Sequence, residues 1–308
     1  MFKVLISDKL NDVAVELLEK EGFEVKKAWD IPKEELEHII PDYDAIIVRS
    51  ATKVKGHLLE VAKNLKVIGR AGVGLDNIDL QSARERGIKV INTPNATTNS
   101  VAELALTMIL AATRRVVTGT ERLRKNPSEF KKLKKALFSV EIEGKTLGII
   151  GTGRIGSSLA VKAKALGMKT IGYDAYIKQS GVIELQSSID KVFEKADYIS
   201  LHLPLTDETR HMISDEEFEK MKTNVILINC ARGGVVDEDA AYRALEKGKL
   251  AVYATDVFEK EPPKEENKLL KHPNVIMTPH IGAQTLEGNY RASVHVAEKV
   301  IEALKELK

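Results

Sequence analysis

The chain has 308 residues, 43% of them hydrophobic and 30% charged, which is length and composition enough for two soluble domains with separate cores. A formal net charge of +2 supplies no broad basic field for nucleic acid, and the lone cysteine, Cys230, has no partner for an internal disulfide. The first residues, MFKVLISDKL, carry neither a long apolar run nor a small-residue cleavage site, so a cytoplasmic location is expected, with no membrane association.

From the N-terminus, short β-branched runs alternate with helical patterns: KVLI then VAVELLEKEG, AIIV then GHLLEVAKN, KVIG then DLQSARERG, and finally KVIN. That alternation predicts βαβ units and a parallel sheet. The turn- and cap-forming stretch NTPNATTNS leads into a long helical segment from about Thr97 to Lys125, read as a domain boundary. Its core, VAELALTMILAAT, falls short of the ~20 residues of a membrane span and contains Glu103, so a buried helix is expected. The basic run KKLKK at 131–135 reads as a solvated face, with contact to an anionic group across an oligomer interface as the alternative. A second series follows in KTLGIIG, SSLAVKAKALG, KTIGYD, YISLHL, VILINCA, AVYATDV and NVIMTPH, and predicts a second parallel sheet. The last stretch is an amphipathic helix with Val294, Val296, Val300, Ile301 and Leu304 near helical spacing. No sheet follows it, so it is expected to return to the first domain. The expected fold is α/β, with two Rossmann-like or flavodoxin-like parallel-sheet domains and a cleft between them. Residues 1–96 plus 285–308 would form a discontinuous substrate domain, and 97–284 a dinucleotide-binding domain.

The stretch LGIIGTGRIG places Gly151, Gly153 and Gly156 in a G-x-G-x-x-G pattern between a strand and a helix. The first glycine permits the tight turn, the second lets backbone approach a pyrophosphate, and the third lets helix and strand pack closely. Free N–H groups at the helix start then face the anion. The next strand ends in Asp174, 18 residues after Gly156, where a carboxylate suits the ribose hydroxyls and repels a 2′-phosphate, so NAD is expected over NADP. Lys178 nearby weakens that preference.

Three later strands end close to Arg232, to Asp256 and Glu261, and to His280. Ligands of open α/β sheets bind at the carboxyl ends of strands. Arginine's planar fork suits a carboxylate, histidine exchanges protons near neutral pH, and a glutamate beside it orients the ring. Hydride transfer on a 2-hydroxy acid needs this set.

Taken together, LGIIGTGRIG, NCARGGVVDE, DVFEKEPP and HPNVIMTPHIGA, with IIVRSATKV, GRAGVGLDNID and NTPNATTNSVAEL earlier in the chain, resemble the D-isomer-specific 2-hydroxyacid dehydrogenase family over nearly the whole length. The resemblance implies that Arg232, Glu261 and His280 are catalytic, with His280 the acid/base. It implies cofactor contacts at Gly151, Gly153, Arg154, Ile155, Gly156, Asp174, Thr206, Cys230, Ala231, Arg232, Asp256, His280, Gly282 and Ala283. Substrate contacts are implied at Arg49, Ser50, Arg70, Val73, Gly74 and Arg232. Val73 stands where relatives have threonine, which leaves only backbone there to contribute. Arg49 and Arg70 follow strands of the first sheet, and two arginines fit a phosphorylated substrate.

The expected reaction is therefore NAD-dependent oxidation of D-3-phosphoglycerate, without a metal. Reduction of glyoxylate or hydroxypyruvate is the alternative within the family, and an NAD(H)-sensing corepressor-like protein the alternative outside enzymology. A homodimer or larger homo-oligomer is implied. The sequence stops at Lys308, before any serine-binding regulatory module of the longer relatives, so no serine feedback through such a module is expected.

Overall fold

A computed structural model describes residues 1–29 and 31–307 and divides them into two compact units. Met1–Thr98 and the chain from Ala283 onward form the first, and Asn99–Gly282 forms the second. Among the described residues no helix is long and apolar enough to cross a membrane.

The first unit holds β1 (Lys3–Ile6), β2 (Glu24–Lys27), β3 (Ala45–Val48), β4 (Val67–Arg70) and β5 (Lys89–Asn92), all parallel, in the order β2-β1-β3-β4-β5. Every residue of β3 is buried, as a strand covered on both faces requires. One face is covered by the helices Val13–Lys20 and Leu286–Lys305, which bury Leu18, Val296, Val300 and Leu304 against the sheet. The second helix is capped by Thr285, whose Oγ1 accepts from Gly288 N at 2.9 Å. Gly69 sets its distance from the sheet, because a Cβ there would stand 2.8 and 2.9 Å from methyls of Val300 and Val296. The strand order reverses between β1 and β3, so the crevice at their carboxyl ends is the natural ligand site of this sheet.

The second unit holds β6 (Thr146–Ile150), β7 (Lys169–Tyr173), β8 (Glu184–Leu185), β9 (Tyr198–Leu201), β10 (Val225–Asn229), β11 (Leu250–Thr255) and β12 (Val275–Met277). They too are all parallel, in the order β12-β11-β10-β9-β6-β7-β8, with the reversal between β6 and β9. The glycine loop leaves β6 at that reversal. Helix Thr98–Thr113 buries Val101, Ala105, Met108, Ile109 and Ala112 within this unit's core.

The single helical segment expected from Thr97 to Lys125 is in fact two helices, Thr98–Thr113 and Val116–Lys125, separated at Arg115 with φ +51°. Packing explains the division. Thr113 Oγ1 donates to Ile109 O at 2.6 Å and lies 3.1 Å from Tyr198 Oη, tying the first helix to β9, whereas the second helix buries no residue. In KKLKK, Leu133 is buried and the four lysines are exposed.

Candidate active site

At the β6 turn, Gly151 takes φ +89°, and a Cβ there would lie 2.4 Å from His202 O. Gly156 faces Gly151 O at 2.3 Å from its own absent Cβ, so helix Arg154–Ala165 can sit this close to the strand only with glycine. Gly153, in contrast, has nothing within 4 Å of that position and opens onto free space. No side chain caps this helix, so the first-turn N–H groups of Arg154, Ile155 and Gly156 have no intrahelical acceptor. Asp174 Oδ2 accepts from Thr152 N at 2.8 Å, and Oδ1 accepts from Tyr176 N at 2.9 Å and Ile177 N at 3.0 Å. Burial would push this carboxyl up, but the Ile177, Tyr176 and Thr152 N–H groups outweigh it and hold Asp174 below the usual carboxylate range. Lys178 Nζ is engaged by Ala175 O at 2.6 Å.

The three strand ends of the same sheet bring Arg232, Glu261 and His280 together. His280 Nδ1 lies 2.7 Å from Glu261 Oε2, and the side chains stay 45% and 41% exposed, open to a ligand. Glu261 Oε1 also accepts from Phe258 N at 3.2 Å. The Glu261 hydrogen bond raises the His280 pKa, burial opposes it, and the charges of Glu261 and Asp256 carry it above the ordinary histidine value against Arg232. For Glu261, burial pushes up, but the His280 bond and charge, Phe258 N–H and Arg232 bring it below the ordinary glutamate value. An imidazole held this way at Nδ1 keeps Nε2 for proton exchange.

Two buried polar residues build this arrangement. Asp256, 2% exposed, accepts from Thr278 Oγ1 at 2.5 Å and Ile281 N at 2.8 Å on one oxygen and from Gly282 N at 2.7 Å on the other. His280 N donates to Asp256 O at 2.9 Å, which holds His280 at φ +54°, a conformation uncommon outside glycine. The Asp256 carboxylate, expected to contact the cofactor, is thus occupied by the His280 loop. Asn229, fully buried, donates to Arg232 O at 2.9 Å and accepts from Ala231 N at 3.0 Å, bracing the arginine loop. Arg232 Nη1 itself donates to Ala231 O at 2.7 Å.

Two expected results follow. Glu261→Gln removes the main cause of the raised His280 pKa. If this site oxidises a hydroxy acid, a step that needs neutral imidazole, the acid limb of the kcat/KM profile should move to lower pH; an unmoved limb would show that Glu261 does not tune His280. At Gly233 a Cβ would stand 1.9 Å from Phe258 C and 2.0 Å from its oxygen, so Gly233→Ala must displace the backbone that leads to Glu261. It should cost about 1–3 kcal/mol or more and lower Tm and activity together. Wild-type values for both would contradict this contact.

Cys230 and Ala231 are buried at the end of β10, with Cys230 Sγ 3.5 Å from Met108 Sδ; burial, with the Asp256 charge, pushes the thiol pKa far up, so this is an inert thiol. Thr206 is exposed after β9, its N–H donating to Thr209 Oγ1 at 2.8 Å. Gly282 is buried against Asp256, and Ala283 is partly exposed.

In the first unit, Arg49 and Ser50 follow β3. Arg49 Nη2 donates to Gln284 Oε1 at 3.0 Å, and its N–H donates to Asp8 Oδ2 at 2.6 Å. Arg70 closes β4 with Nη1 donating to Ala71 O at 2.8 Å, its guanidinium lying over Gly72. Val73 is exposed and its carbonyl accepts from Asn92 Nδ2 at 2.7 Å, while Gly74 is partly exposed. Asp8, Asn229 and Gln284 were not singled out from sequence. A polar residue at the end of an apolar strand was the available signal for the first two.

Residues 106–282 match the family described as D-isomer specific 2-hydroxyacid dehydrogenase, NAD binding domain. The chain belongs to that family. It is 48% identical over 309 aligned residues to the D-3-phosphoglycerate dehydrogenase of Methanocaldococcus jannaschii, with 99% of this chain aligned but only 58% of that protein. The chain thus spans little more than half the length of that relative. It is 46% identical to the hydroxypyruvate reductase of Thermotoga maritima, with 98% of each aligned. Among solved structures it resembles the NAD-bound 3-phosphoglycerate dehydrogenase of Entamoeba histolytica, with a TM-score of 0.84, 31% identity and coverage of 100% and 96%. The residues present fit the cofactor of this dehydrogenase family: the uncapped helix start and the open space at Gly153 suit a pyrophosphate, and Asp174 suits a ribose.

Proposed function

We propose that the chain catalyses the NAD-dependent oxidation of D-3-phosphoglycerate to 3-phosphohydroxypyruvate, the entry step of serine synthesis. The observation that carries this reading is the His280–Glu261 pair at 2.7 Å, with Arg232 close enough to bias both pKa values, at the strand ends of the NAD-binding unit. In this reading His280 Nε2 removes the C2 hydroxyl proton, Glu261 stabilises the resulting imidazolium, and Arg232 holds the substrate carboxylate. NAD, when bound, supplies the acceptor for the C2 hydride. The N–H groups of Arg154, Ile155 and Gly156 hold its pyrophosphate and Asp174 its ribose, with Gly151 and Gly153 shaping the loop. Thr206, Cys230, Ala231, Gly282 and Ala283 line its path, and Asp256 acts on it through the His280 loop. From the first unit, Arg49, Ser50 and Arg70 serve the phosphorylated end, and the backbone at Val73 and Gly74 the carboxylate.

A second reading, reduction of hydroxypyruvate or glyoxylate, is favoured by the Thermotoga relative, which aligns over 98% of both chains. Turnover of 3-phosphohydroxypyruvate, hydroxypyruvate and glyoxylate with NADH and NADPH separates the two. A kcat/KM for an unphosphorylated acid equal to or above that for the phosphorylated one would overturn the first reading. We also infer self-association through the segment 116–140, which exposes Val116, Phe130, Phe138 and Val140, with Phe138 91% exposed. A monomer by light scattering would refute it.

A further inference from the structure

A cavity of about 860 Å³ lies in the first unit at the carboxyl ends of β1 and β3, where the strand order reverses. Its lining includes Lys9, Lys33, Arg49, Lys53 and Lys55, against Asp8 as the sole carboxylate among the described lining residues. A protein of net charge +2 has thus gathered five cations around one opening.

Most of the other charge there has a partner. The Asp8 carboxylate, 8% exposed, accepts from Arg49 N at 2.6 Å, Thr52 N at 3.1 Å and Thr52 Oγ1 at 2.6 Å, so it builds the 49–52 loop. Lys33 pairs with Glu37 at 3.2 Å, and the Lys55 charge acts on Asp79. Lys9 and Lys53 are exposed and have no carboxylate within 4.0 Å among the described residues. A separate observation points to the same cavity: Ser7, 8% exposed and in its lining, has a buried Oγ with no hydrogen-bond partner. A buried hydroxyl left unpaired is costly unless a ligand or water meets it.

We propose that Lys9 and Lys53 are specificity-determining residues that, with Arg49 and the Ser7 hydroxyl, bind the phosphate monoester end of the substrate in the β1/β3 cavity. This rests on the phosphorylated-substrate reading above. A phosphate monoester carries close to two negative charges at neutral pH and three acceptor oxygens, which calls for several cations and a hydroxyl donor. An unphosphorylated 2-oxo acid has nothing to place there.

The test is the ratio of kcat/KM for 3-phosphohydroxypyruvate to that for hydroxypyruvate, measured with NADH. Lys9→Met and Lys53→Met keep the apolar stem and remove the charge. Each is expected to lower the ratio about tenfold, through KM, as loss of one charge-assisted contact to a non-reacting group does. Lys53→Arg should restore most of it, and Lys247→Met, on the second unit, should leave it unchanged. Inorganic phosphate should compete with 3-phosphohydroxypyruvate and bind more weakly to both methionine variants. A ratio within twofold of wild type in Lys9→Met and Lys53→Met, or phosphate inhibition that is not competitive, would overturn the proposal. Failure of the underlying reading looks different: the wild type would then show no preference for the phosphorylated acid.

Discussion

Replacing His280 with asparagine should lower kcat for hydroxy-acid oxidation by about 10²–10⁴-fold, the share a positioned general base contributes. Asparagine is the informative choice because His280 sits at φ +54°, where asparagine is among the best-tolerated residues after glycine. The three hydrogen bonds from Thr278, Ile281 and Gly282 to Asp256 do not use the His280 side chain, so the loop should survive the change. Tm and NADH affinity, read by fluorescence titration, are accordingly expected to stay near wild type while turnover collapses. Turnover within tenfold of wild type would remove His280 from the chemistry.

Arg232→Ala should lower kcat/KM by roughly 10²–10⁴-fold if two charge-assisted hydrogen bonds to the substrate carboxylate, at ~1.5–3 kcal/mol each, are lost. Arg232→Lys should recover only part, since an ammonium keeps the charge but not the planar fork. Both phosphorylated and unphosphorylated acids carry the carboxylate, so both should suffer equally. That equality separates Arg232 from Lys9 and Lys53, whose loss should fall on the phosphorylated acid alone. A second signature follows from electrostatics. Arg232 lowers the His280 pKa, so its removal should shift the acid limb of the oxidation profile to higher pH, opposite to Glu261→Gln. A loss confined to one class of acid, or a limb moving the other way, would contradict the assignment.

Much of this site was legible because its chemistry sits at strand ends, and strand ends are marked by where apolar runs stop. Arg232, Glu261 and His280 each follow such a run, as do Arg49 and Arg70. Less visible were features set by tertiary contact. The edge strand β2, EVKK, offers one apolar residue in four and reads as a loop, yet its backbone pairs with β1 and its charges suit an open edge. β8 is two residues long and leaves no periodicity to read. The break at Arg115 carries no proline or glycine, because it is decided by where the helix stops packing at Thr113. Asp8 and Asn229 look like ordinary polar residues in sequence, and only the backbone N–H and C=O groups they engage reveal them as braces.

The return of Leu286–Lys305 to the first unit also sets an order of events during synthesis. The sheet face that receives Val296 and Val300 is made early, but its cover emerges only after all of Asn99–Gly282. At typical ribosomal speeds that is a delay of roughly 10–40 s. Of the two units, the one whose translation starts first is therefore the one completed last, with an apolar surface waiting in the interval for helix Leu286–Lys305.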